Sequence, residues 1–315
     1  MTEAPRQPPP YAFAGLLAAL VLVVYLLTLA PTTAFWDTSE YIAAAKTLGI
    51  PHPPGNPLFV LLAHVFGLLP LAASYAVRIN LFAAVTSALS AGLWFLVAER
   101  WLRNLVADRR LRLGAAATGV LVGALSWTVW NQSTVNEKVY TVSLFFMALV
   151  TWLAVHWGDD EPGPHRDRWL ILIAYLLALT STNHMMGVLA APAVIVYVLW
   201  TDWRVVTRWQ VLLGILVAVV IGMSPNYLFL PIRAAQHPAI NEGEPVCSSI
   251  VAGIQSIWNP SKCQKLSDVL NRVQYGKPST FTLPWLPSGQ PRTMSFFFDQ
   301  LANYWQYFSW QFARD

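Results

Sequence analysis

The chain has 315 residues, of which 56% are hydrophobic and only 11% are charged, and its formal net charge is +4. Ordinary soluble domains are roughly 45–50% apolar and about 25% charged, so this composition excludes a water-soluble globular protein. The positive charge comes from arginines in short loops between apolar runs, a pattern that is typical of membrane topology and not of a nucleic-acid-binding face.

Long apolar runs recur along the first 230 residues, and a membrane span needs about 20 mostly apolar residues. Two of these runs are separated only by Asn183 and His184, so two short helices and one broken helix both remain open there. The sequence predicts an all-α polytopic membrane protein with about seven transmembrane helices. The predicted spans are 11–29, 72–97, 113–130, 139–157, 169–182, 185–200 and 211–230.

A shorter apolar run at 57–70 decides the topology, because counting it as a span inverts every later loop. If it does not cross, the N-terminus and the loops 99–112, 158–168 and 201–210 carry ten basic residues on one side, against three on the other side up to residue 230. The positive-inside rule favours this arrangement. We therefore predict a cytoplasmic N-terminus and a re-entrant or interfacial helix at 57–70.

The last part of the chain differs from the rest, because the apolar periodicity fades from Pro231 onward. We expect a transmembrane core over 1–230, with a first external loop at 31–71, and an external segment over 231–315. An aromatic stretch near the end of the sequence favours a chain truncated before further elements. Cys247 and Cys263 lie in this segment, where a disulfide and two free thiols are both open.

The first external loop contains the two acids Asp37 and Glu40, which are three positions apart. They share one face of the first turn if a helix begins at Thr38. The structural alternative is a capping box, with Asp37 as the N-cap and Glu40 as its partner, and this is the commoner use of the pattern. Either reading places a carboxylate at the start of the loop.

His52 follows in a proline-rich turn, Pro51-His52-Pro53-Pro54-Gly55, which cannot be helical. A rigid turn at the membrane surface is an unusual place for an imidazole without a function, because binding and catalytic residues often lie on loops. The structural alternative is that the turn only orients the helix that follows it.

Further polar residues fall on the same predicted outer side. Ionisable groups at membrane depth are costly and usually face a cavity or a partner. Taken singly, structural roles at helix ends are favoured for Arg78 and Glu137. The full set is Arg78, Asn80, Asn131, Asn136, Glu137, Tyr140, Asn183, His184 and Arg233.

Two acids, a histidine and arginines on one face suit a reaction on a phosphate-linked lipid. Arginine binds phosphate through bidentate, charge-assisted hydrogen bonds, and a carboxylate can take the proton of an incoming hydroxyl. The sequence contains no Walker A, GxGxxG, HExxH or CxxC motif, which argues against nucleotide-driven or zinc chemistry. The sequence indicates no cofactor and no metal ligand, and a metal requirement stays open.

The loop carries a resemblance to a known family. Asp37-Thr-Ser-Glu40, followed by Gly49-Ile-Pro-His52-Pro-Pro-Gly55-Asn-Pro57, resembles the signature of multipass proteins once known only as a domain of unknown function. That family includes an animal O-mannosyltransferase that acts on receptor ectodomains. Further matches are Arg78-Ile-Asn80, Trp130 through Tyr140, Thr182-Asn-His184, Leu230-Pro-Ile-Arg233-Ala and Arg272-Val-Gln-Tyr275-Gly276.

The resemblance implies a GT-C type glycosyltransferase, an integral-membrane fold whose first external loop holds the catalytic acid and whose donor is a polyprenyl-phosphate sugar. It makes Asp37 the base and Glu40 its neighbour at the acceptor or the donor sugar. His52, Arg233 and Arg78 would be donor-phosphate or loop-ordering groups. The supporting residues would be Asn80, Asn131, Glu137, Tyr140, Asn183 and His184.

The predicted function is inverting transfer of a hexose, with mannose favoured, from polyprenyl phosphate to a hydroxyl of a protein or glycan, preferably Ser or Thr of a translocated protein. One rival is a transporter or flippase for a lipid-linked or anionic solute, which would predict broken helices near the midplane and inverted repeats. The other is a non-catalytic membrane scaffold. Fifteen Arg against five Lys favour a bacterial plasma membrane with the site facing outward, and the endoplasmic reticulum stays open.

Overall fold

The computed structural model describes residues 8–135, 138–276 and 293–312. All regular elements in these residues are helical, and the only extended pairing within them is a parallel bridge between Ile50 and Asn241. The prediction of an all-α membrane protein is confirmed. The helices before residue 160 are α1 (Tyr11–Leu27), α2 (Thr38–Thr47), α3 (Pro57–Gly67), α4 (Tyr75–Leu102), α5 (Arg109–Ala124), α6 (Trp127–Thr134) and α7 (Val139–Asp159).

The second half contains shorter helices joined by 3-10 turns. The 3-10 segments are Met185–Ala190, Trp203–Thr207, Pro260–Lys262 and Val273–Tyr275. A π-helical turn covers Pro225–Phe229. The α-helices are α8 (Pro164–Ser181), α9 (Ala191–Thr201), α10 (Trp209–Gly222), α11 (Leu230–Gln236), α12 (Ile250–Gln255), α13 (Gln264–Leu270) and α14 (Met294–Ser309).

Helix α4 lies at the centre of the bundle, between α1 and α7. Gly92 lets α1 come close, because a Cβ atom at this position would lie 3.0 Å from the carbonyl oxygen of Ala14. On its other face, Thr86 donates a hydrogen bond to Thr141 of α7 at 2.9 Å. Small and hydroxylated residues at helix contacts are typical of proteins that pack in lipid, where van der Waals contact and interhelical hydrogen bonds hold helices together.

Three helical segments of the described chain are long and apolar enough to cross a membrane on their own: Tyr75–Leu102, Val139–Asp159 and Trp209–Gln236. The helices α1, α8 and α9, which coincide with three further predicted spans, are shorter or carry charges in their first turns. The count of seven spans therefore stays a prediction.

The predicted span at 113–130 is not straight. It divides into α5 and α6, whose axes are bent by 65° at Leu125 and Ser126. Ser126 adopts an extended backbone conformation at the N-cap of α6, and its hydroxyl donates to the carbonyl of Gly123. The predicted span is therefore built from two helices, and whether the bent pair crosses the membrane stays a prediction.

The predicted boundary at residue 230 is also displaced. The helical segment that starts at Trp209 continues to Gln236 and passes through Pro231. Proline lacks an amide donor and disrupts the regular i to i−4 pattern, and the π-helical turn at Pro225–Phe229 just before it is the kind of local widening that accommodates such a disruption. Six residues predicted to be external therefore belong to the last long helix.

Helices α8 and α9 run in opposite directions. Asp167 in the first turn of α8 accepts a hydrogen bond of 2.8 Å from Arg208, which follows α9. Arg166 of the same turn lies 3.8 Å from Asp202, directly after α9. Since the start of one helix meets the end of the other, the structure has two helices here and not one broken helix.

Loops that are predicted to lie on the same side of the membrane contact one another, and the sides themselves stay a prediction. At one end Arg100 forms a bidentate pair with Asp159, with distances of 2.7 and 2.5 Å, and joins two loops predicted to be cytoplasmic. At the other end Asn80 donates to the carbonyl of Ala30, and Thr38 donates to that of Val135.

Helix α3 is the segment on which the topology prediction depends. Both of its ends lie near the end of the bundle that contains Asn80 and Thr38. Its 11 residues span only about 16 Å, roughly half of a bilayer core. At its start Asn56 donates to the carbonyl of Asn183, and at its end Gly67 accepts from Arg78 at the beginning of α4. This arrangement matches a helix that enters the bundle and does not cross it.

Candidate functional site

The site begins at Asp37, the residue immediately before α2. Its carbonyl accepts the first helical hydrogen bond from Tyr41, but its carboxylate makes no capping contact with the helix. None of the described residues donates a hydrogen bond to this half-buried carboxylate or forms an ion pair with it. The preceding Trp36 has a φ of 70°, an unfavourable angle for an aromatic residue, and its side chain is 77% exposed.

Glu40, one helical turn further on, is tied to the proline-rich turn. One carboxylate oxygen accepts the backbone N–H of His52 at 2.5 Å, and the other lies 3.0 Å from its Nδ1 atom. Because a carboxylate only accepts, Nδ1 carries the proton in this contact. The capping-box alternative is therefore wrong for both acids: Asp37 does not cap the helix, and Glu40 reaches across to another loop.

The turn around His52 is compact and closely packed. The amide of Gly55 donates to the carbonyl of His52 at 2.9 Å, and the Pro53–Pro54 peptide bond is cis. Gly55 has a φ of +86°, and a Cβ atom there would lie 3.0 Å from a methyl carbon of Leu230. Both facts explain why glycine occupies this position.

Tyr41 connects the turn to α2. Its hydroxyl lies 3.3 Å from Oδ1 of Asn56 and 3.2 Å from Nε2 of His52. Asn56 continues the chain of contacts by donating to the carbonyl of Asn183, whose own side chain donates to the carbonyl of Val139 at the start of α7. Four segments of the protein are thereby held in one hydrogen-bonded network.

Sequence reasoning did not single out Tyr41 or Asn56. Their positions gave a weak signal: Tyr41 is four residues after Asp37, and therefore on the same helical face if the helix forms. Asn56 stands between a glycine and the proline that begins α3, and its φ of 37° belongs to a left-handed conformation that asparagine tolerates. Neither position reveals its partners.

His184 and Tyr140 lie together beside this network. Their rings meet edge to face, with centroids 4.9 Å apart. The Nδ1 atom of His184 accepts the backbone N–H of Met186 at 3.1 Å. Burial, and then the charges of Arg272 and His52, lower the pKa of His184, so its ring is neutral at pH 7.

Arg233 and Arg78, predicted to bind the donor phosphate or to order the loop, donate hydrogen bonds to the backbone. Arg233 donates to the carbonyls of Leu48 and Thr47 at the C-terminal end of α2, at 2.6 and 3.0 Å. Arg78 donates to the carbonyls of Ala72 and Gly67 around the end of α3. A cation at the C-terminus of a helix satisfies its last carbonyls and its dipole, so these contacts favour the loop-ordering alternative.

The other predicted residues have varied positions. Asn80 donates to the carbonyls of Ala30 and Thr32 and holds the start of the loop between α1 and α2. Asn131 lies half-buried in α6. Asn136 and Glu137 lie outside the described residues.

Cys247 and Cys263 are bonded to each other, with their Cα atoms 5.4 Å apart. Both are buried in a small apolar cluster with Ile50, Leu230 and Leu266. The segment after α11 is thereby packed directly against the loop that carries His52, which brings together residues that are about 200 positions apart in the sequence.

Asp37, Glu40 and His52 form one compact group. A ligand-capable atom from each lies within 4.8 Å of those of the other two, close enough to surround one cation. Two carboxylates and an imidazole are acceptable ligands for several divalent metals. The group therefore offers a carboxylate with no hydrogen-bond donor among the described residues, beside a second carboxylate and an imidazole that hold each other in place.

Comparison with known proteins gives a family match. The model of the "Protein O-mannosyl-transferase TMEM260 N-terminal domain" matches residues 37–207, just over half of the chain. A protein O-mannosyl-transferase TMEM260 of Mus musculus is 29% identical over 222 residues, covering 69% of this chain and 29% of that protein. A protein of the same description from Dictyostelium discoideum is 22% identical over 224 residues, covering 66% of this chain and 26% of that protein. The chain thus spans less than a third of the length of these curated relatives, and no solved structure matches it significantly.

Proposed function

The chain belongs to the family of the TMEM260 protein O-mannosyl-transferase N-terminal domain, and we propose from this premise that it carries the catalytic site of a membrane glycosyltransferase. The substrate is a polyprenyl-phosphate hexose, with mannose favoured. The acceptor is a Ser or Thr hydroxyl of a protein presented at the outer face of the membrane. The matched region contains Asp37, Glu40, His52 and His184, so the proposed chemical groups lie within the family domain.

The observation that supports this proposal most directly is the state of the Asp37 carboxylate. It is half-buried, it receives no hydrogen bond from a described residue, and it stands beside the fixed Glu40–His52 pair. A carboxylate that has lost some of its water and has no structural partner is available to accept a proton from an incoming hydroxyl. A carboxylate that capped its helix would be less available.

In the proposed reaction the acceptor hydroxyl donates its proton to Asp37 as its oxygen attacks the anomeric carbon of the donor sugar. The new C–O bond forms while the bond between that carbon and the phosphate oxygen breaks, and polyprenyl phosphate leaves with the bonding electron pair. One in-line displacement inverts the configuration, and it requires one base and a fixed donor. The Glu40–His52 pair keeps the loop in the position that this displacement needs.

The three functional hypotheses are separated by one experiment with the purified full chain. Polyprenyl-phosphate mannose and an acceptor peptide rich in Ser and Thr are incubated with the protein, with and without EDTA, and mannosyl peptide is detected by mass spectrometry. We expect transfer with inverted configuration in both samples, since the proposed displacement has no metal-dependent step. Movement of the lipid-linked sugar across a vesicle bilayer without transfer would favour the transporter, and neither activity would favour the scaffold. Transfer that EDTA abolishes and Mn²⁺ restores would place a cation in the Asp37–Glu40–His52 group.

A further inference from the structure

We infer that Arg272, with His184 beside it, binds a phosphoryl anion next to the Asp37–Glu40–His52 group. Arg272 lies beyond the region that the family model matches and was not among the predicted site residues. The identity of the ligand as the phosphate of the lipid-linked donor rests on the proposed function, whereas the binding of a phosphoryl group does not.

The segment that carries Arg272 is fastened to the catalytic loop. Tyr275, three residues later, donates a hydrogen bond from its hydroxyl to the carbonyl of Pro53 at 3.1 Å, within the turn that contains His52. On the other side, Arg272 follows α13, which begins directly after the bonded Cys263. The backbone on both sides of Arg272 is therefore anchored, and on one side it is anchored to the turn that contains His52.

The backbone at Arg272 has an uncommon conformation. Its φ is +53°, in the left-handed region that residues with a side chain rarely occupy, and it forms the start of the 3-10 turn Val273–Tyr275. Uncommon backbone angles persist only where surrounding contacts determine them, and they occur frequently at ligand-binding positions. The Tyr275 contact is one of those that determine this angle.

The guanidinium of Arg272 has no partner among the described residues. It forms no ion pair and donates no hydrogen bond within the described chain, although its side chain is half-buried. Burial lowers the pKa of Arg272, and only the hydroxyls of Tyr275 and Tyr41 act in the opposite direction. By contrast, Arg100, Arg103, Arg112 and Arg208 each pair with a carboxylate. A partly desolvated cation without an anion is unfavourable, and a bound anion would remove that cost.

The groups around Arg272 are suited to an anion. Burial, and then Arg272 and His52, lower the pKa of His184, which is the effect of cationic groups within electrostatic range of its ring. The carboxylate of Glu40 is already bound to His52, which reduces its repulsion of a second anion. Arginine presents a planar fork of donors that matches two phosphate oxygens, and the Nε2 N–H of His184, whose Nδ1 accepts from Met186, adds a further donor.

The anion site and the proton acceptor are different groups in this arrangement. Asp37 would take the hydroxyl proton, whereas Arg272 would hold the phosphate. A leaving phosphate gains negative charge as the sugar departs, so a guanidinium beside it stabilises the transition state as well as the bound donor.

The test measures binding separately from transfer. Purified full chain is titrated with farnesyl phosphate, and with farnesol as a probe without the phosphate, for the wild type, Arg272→Ala, Arg272→Lys and Arg109→Ala. Arg109 is an exposed arginine at the opposite end of the bundle and serves as the matched control. Competition by inorganic phosphate and by vesicles containing phosphatidylglycerol distinguishes a donor phosphate from an ordinary lipid headgroup.

We expect Arg272→Ala to lower the affinity for farnesyl phosphate by about tenfold or more and to leave the affinity for farnesol unchanged, because only the phosphate contact is lost. Arg272→Lys should recover part of the affinity, and Arg109→Ala should bind like the wild type. Inorganic phosphate should compete and phosphatidylglycerol vesicles should not. Unchanged farnesyl phosphate affinity in an Arg272→Ala protein that melts like the wild type would overturn the inference, and effective competition by the vesicles would overturn the donor assignment.

The outcomes also separate this inference from the proposed function. If the wild type transfers mannose and Arg272→Ala does so with the same donor KM, the inference fails and the function stands. If Arg272→Ala loses farnesyl phosphate binding in a protein that transfers no sugar, the anion site stands and the function fails.

Discussion

Glu40 and His52 are joined at two points: one carboxylate oxygen accepts the backbone amide of His52 at 2.5 Å, and the other meets its ring nitrogen at 3.0 Å. The two residues are twelve positions apart, and this contact fastens α2 to the proline-rich turn that precedes α3. Glu40 thus fixes the position of the His52 imidazole, whereas the carboxylate of the neighbouring Asp37 makes no such contact with a described residue.

Replacing Asp37 with Asn tests whether the Asp37 carboxylate is the general base that accepts the proton of the acceptor hydroxyl. Asn keeps the size of the side chain, and no capping hydrogen bond is lost because the wild type has none. We expect membrane insertion and thermal stability near the wild type and a fall in transfer of about 100-fold or more, the usual effect of removing a general base. The measurement is initial transfer rate together with a melting curve.

Asp108→Asn is the matched control for this variant. Asp108 caps α5 by accepting from the amides of Arg110 and Leu111, and Asn caps almost as well. Its transfer rate should equal that of the wild type. Asp37→Asn protein that keeps more than about a tenth of the wild-type rate would show that the carboxylate is not the base.

Glu40→Gln should affect position more than chemistry. Glutamine offers one acceptor oxygen in place of two and an NH2 group that cannot accept, so one of the two contacts with His52 is lost. Hydrogen bonds to charged groups contribute about 1.5–3 kcal/mol each, so a measurable loss of thermal stability should accompany a raised acceptor KM. The transfer rate of Glu40→Gln should fall less than that of Asp37→Asn. If Glu40→Gln instead lost as much kcat as Asp37→Asn while its acceptor KM stayed unchanged, Glu40 would be the base.

Arg233→Lys is expected to act on stability rather than on the donor. The guanidinium bridges two carbonyls at the end of α2 and also donates to the side chain of Gln236, a geometry that the single ammonium of lysine cannot reproduce. The melting temperature should fall, while the affinity for farnesyl phosphate should stay within about twofold of the wild-type value. A donor affinity reduced tenfold at unchanged stability would return Arg233 to the phosphate-binding role.

Cysteine labelling tests the side of the membrane on which the site lies. Single cysteines at Ser39 and Asn136 should react with an impermeant maleimide from outside intact cells, whereas one at Ala107 should react only after permeabilisation. Cys247 and Cys263 are bonded to each other, so they do not compete for the reagent. Opposite labelling of Ser39 and Asn136 would mean that α3 crosses the membrane and that the predicted outer residues lie on two sides.

The sequence predicted what depends on local spacing. Asp37 and Glu40 share the first turn of α2 because they are three positions apart, and a separate short helix occupies the run at 57–70. Spacing alone does not determine tertiary partners, however. Arg78 and Arg233 contact helix ends, and Arg272, whose relation to the loop spans more than 200 residues, could not be placed without the fold.

The contacts of Arg233 with Thr47 and Leu48 connect residues 186 and 185 positions apart. During synthesis the N-terminal part of a protein leaves the ribosome first, so Asp37, Glu40 and His52 are present long before the residues that support them. The loop gains this support only when α11 has been made and has docked. A nascent chain that ends before Arg233 would carry every residue of the Asp37–Glu40–His52 group, yet lack the contacts that fix the C-terminal end of α2, so the geometry of this group is complete only after α11 has been made.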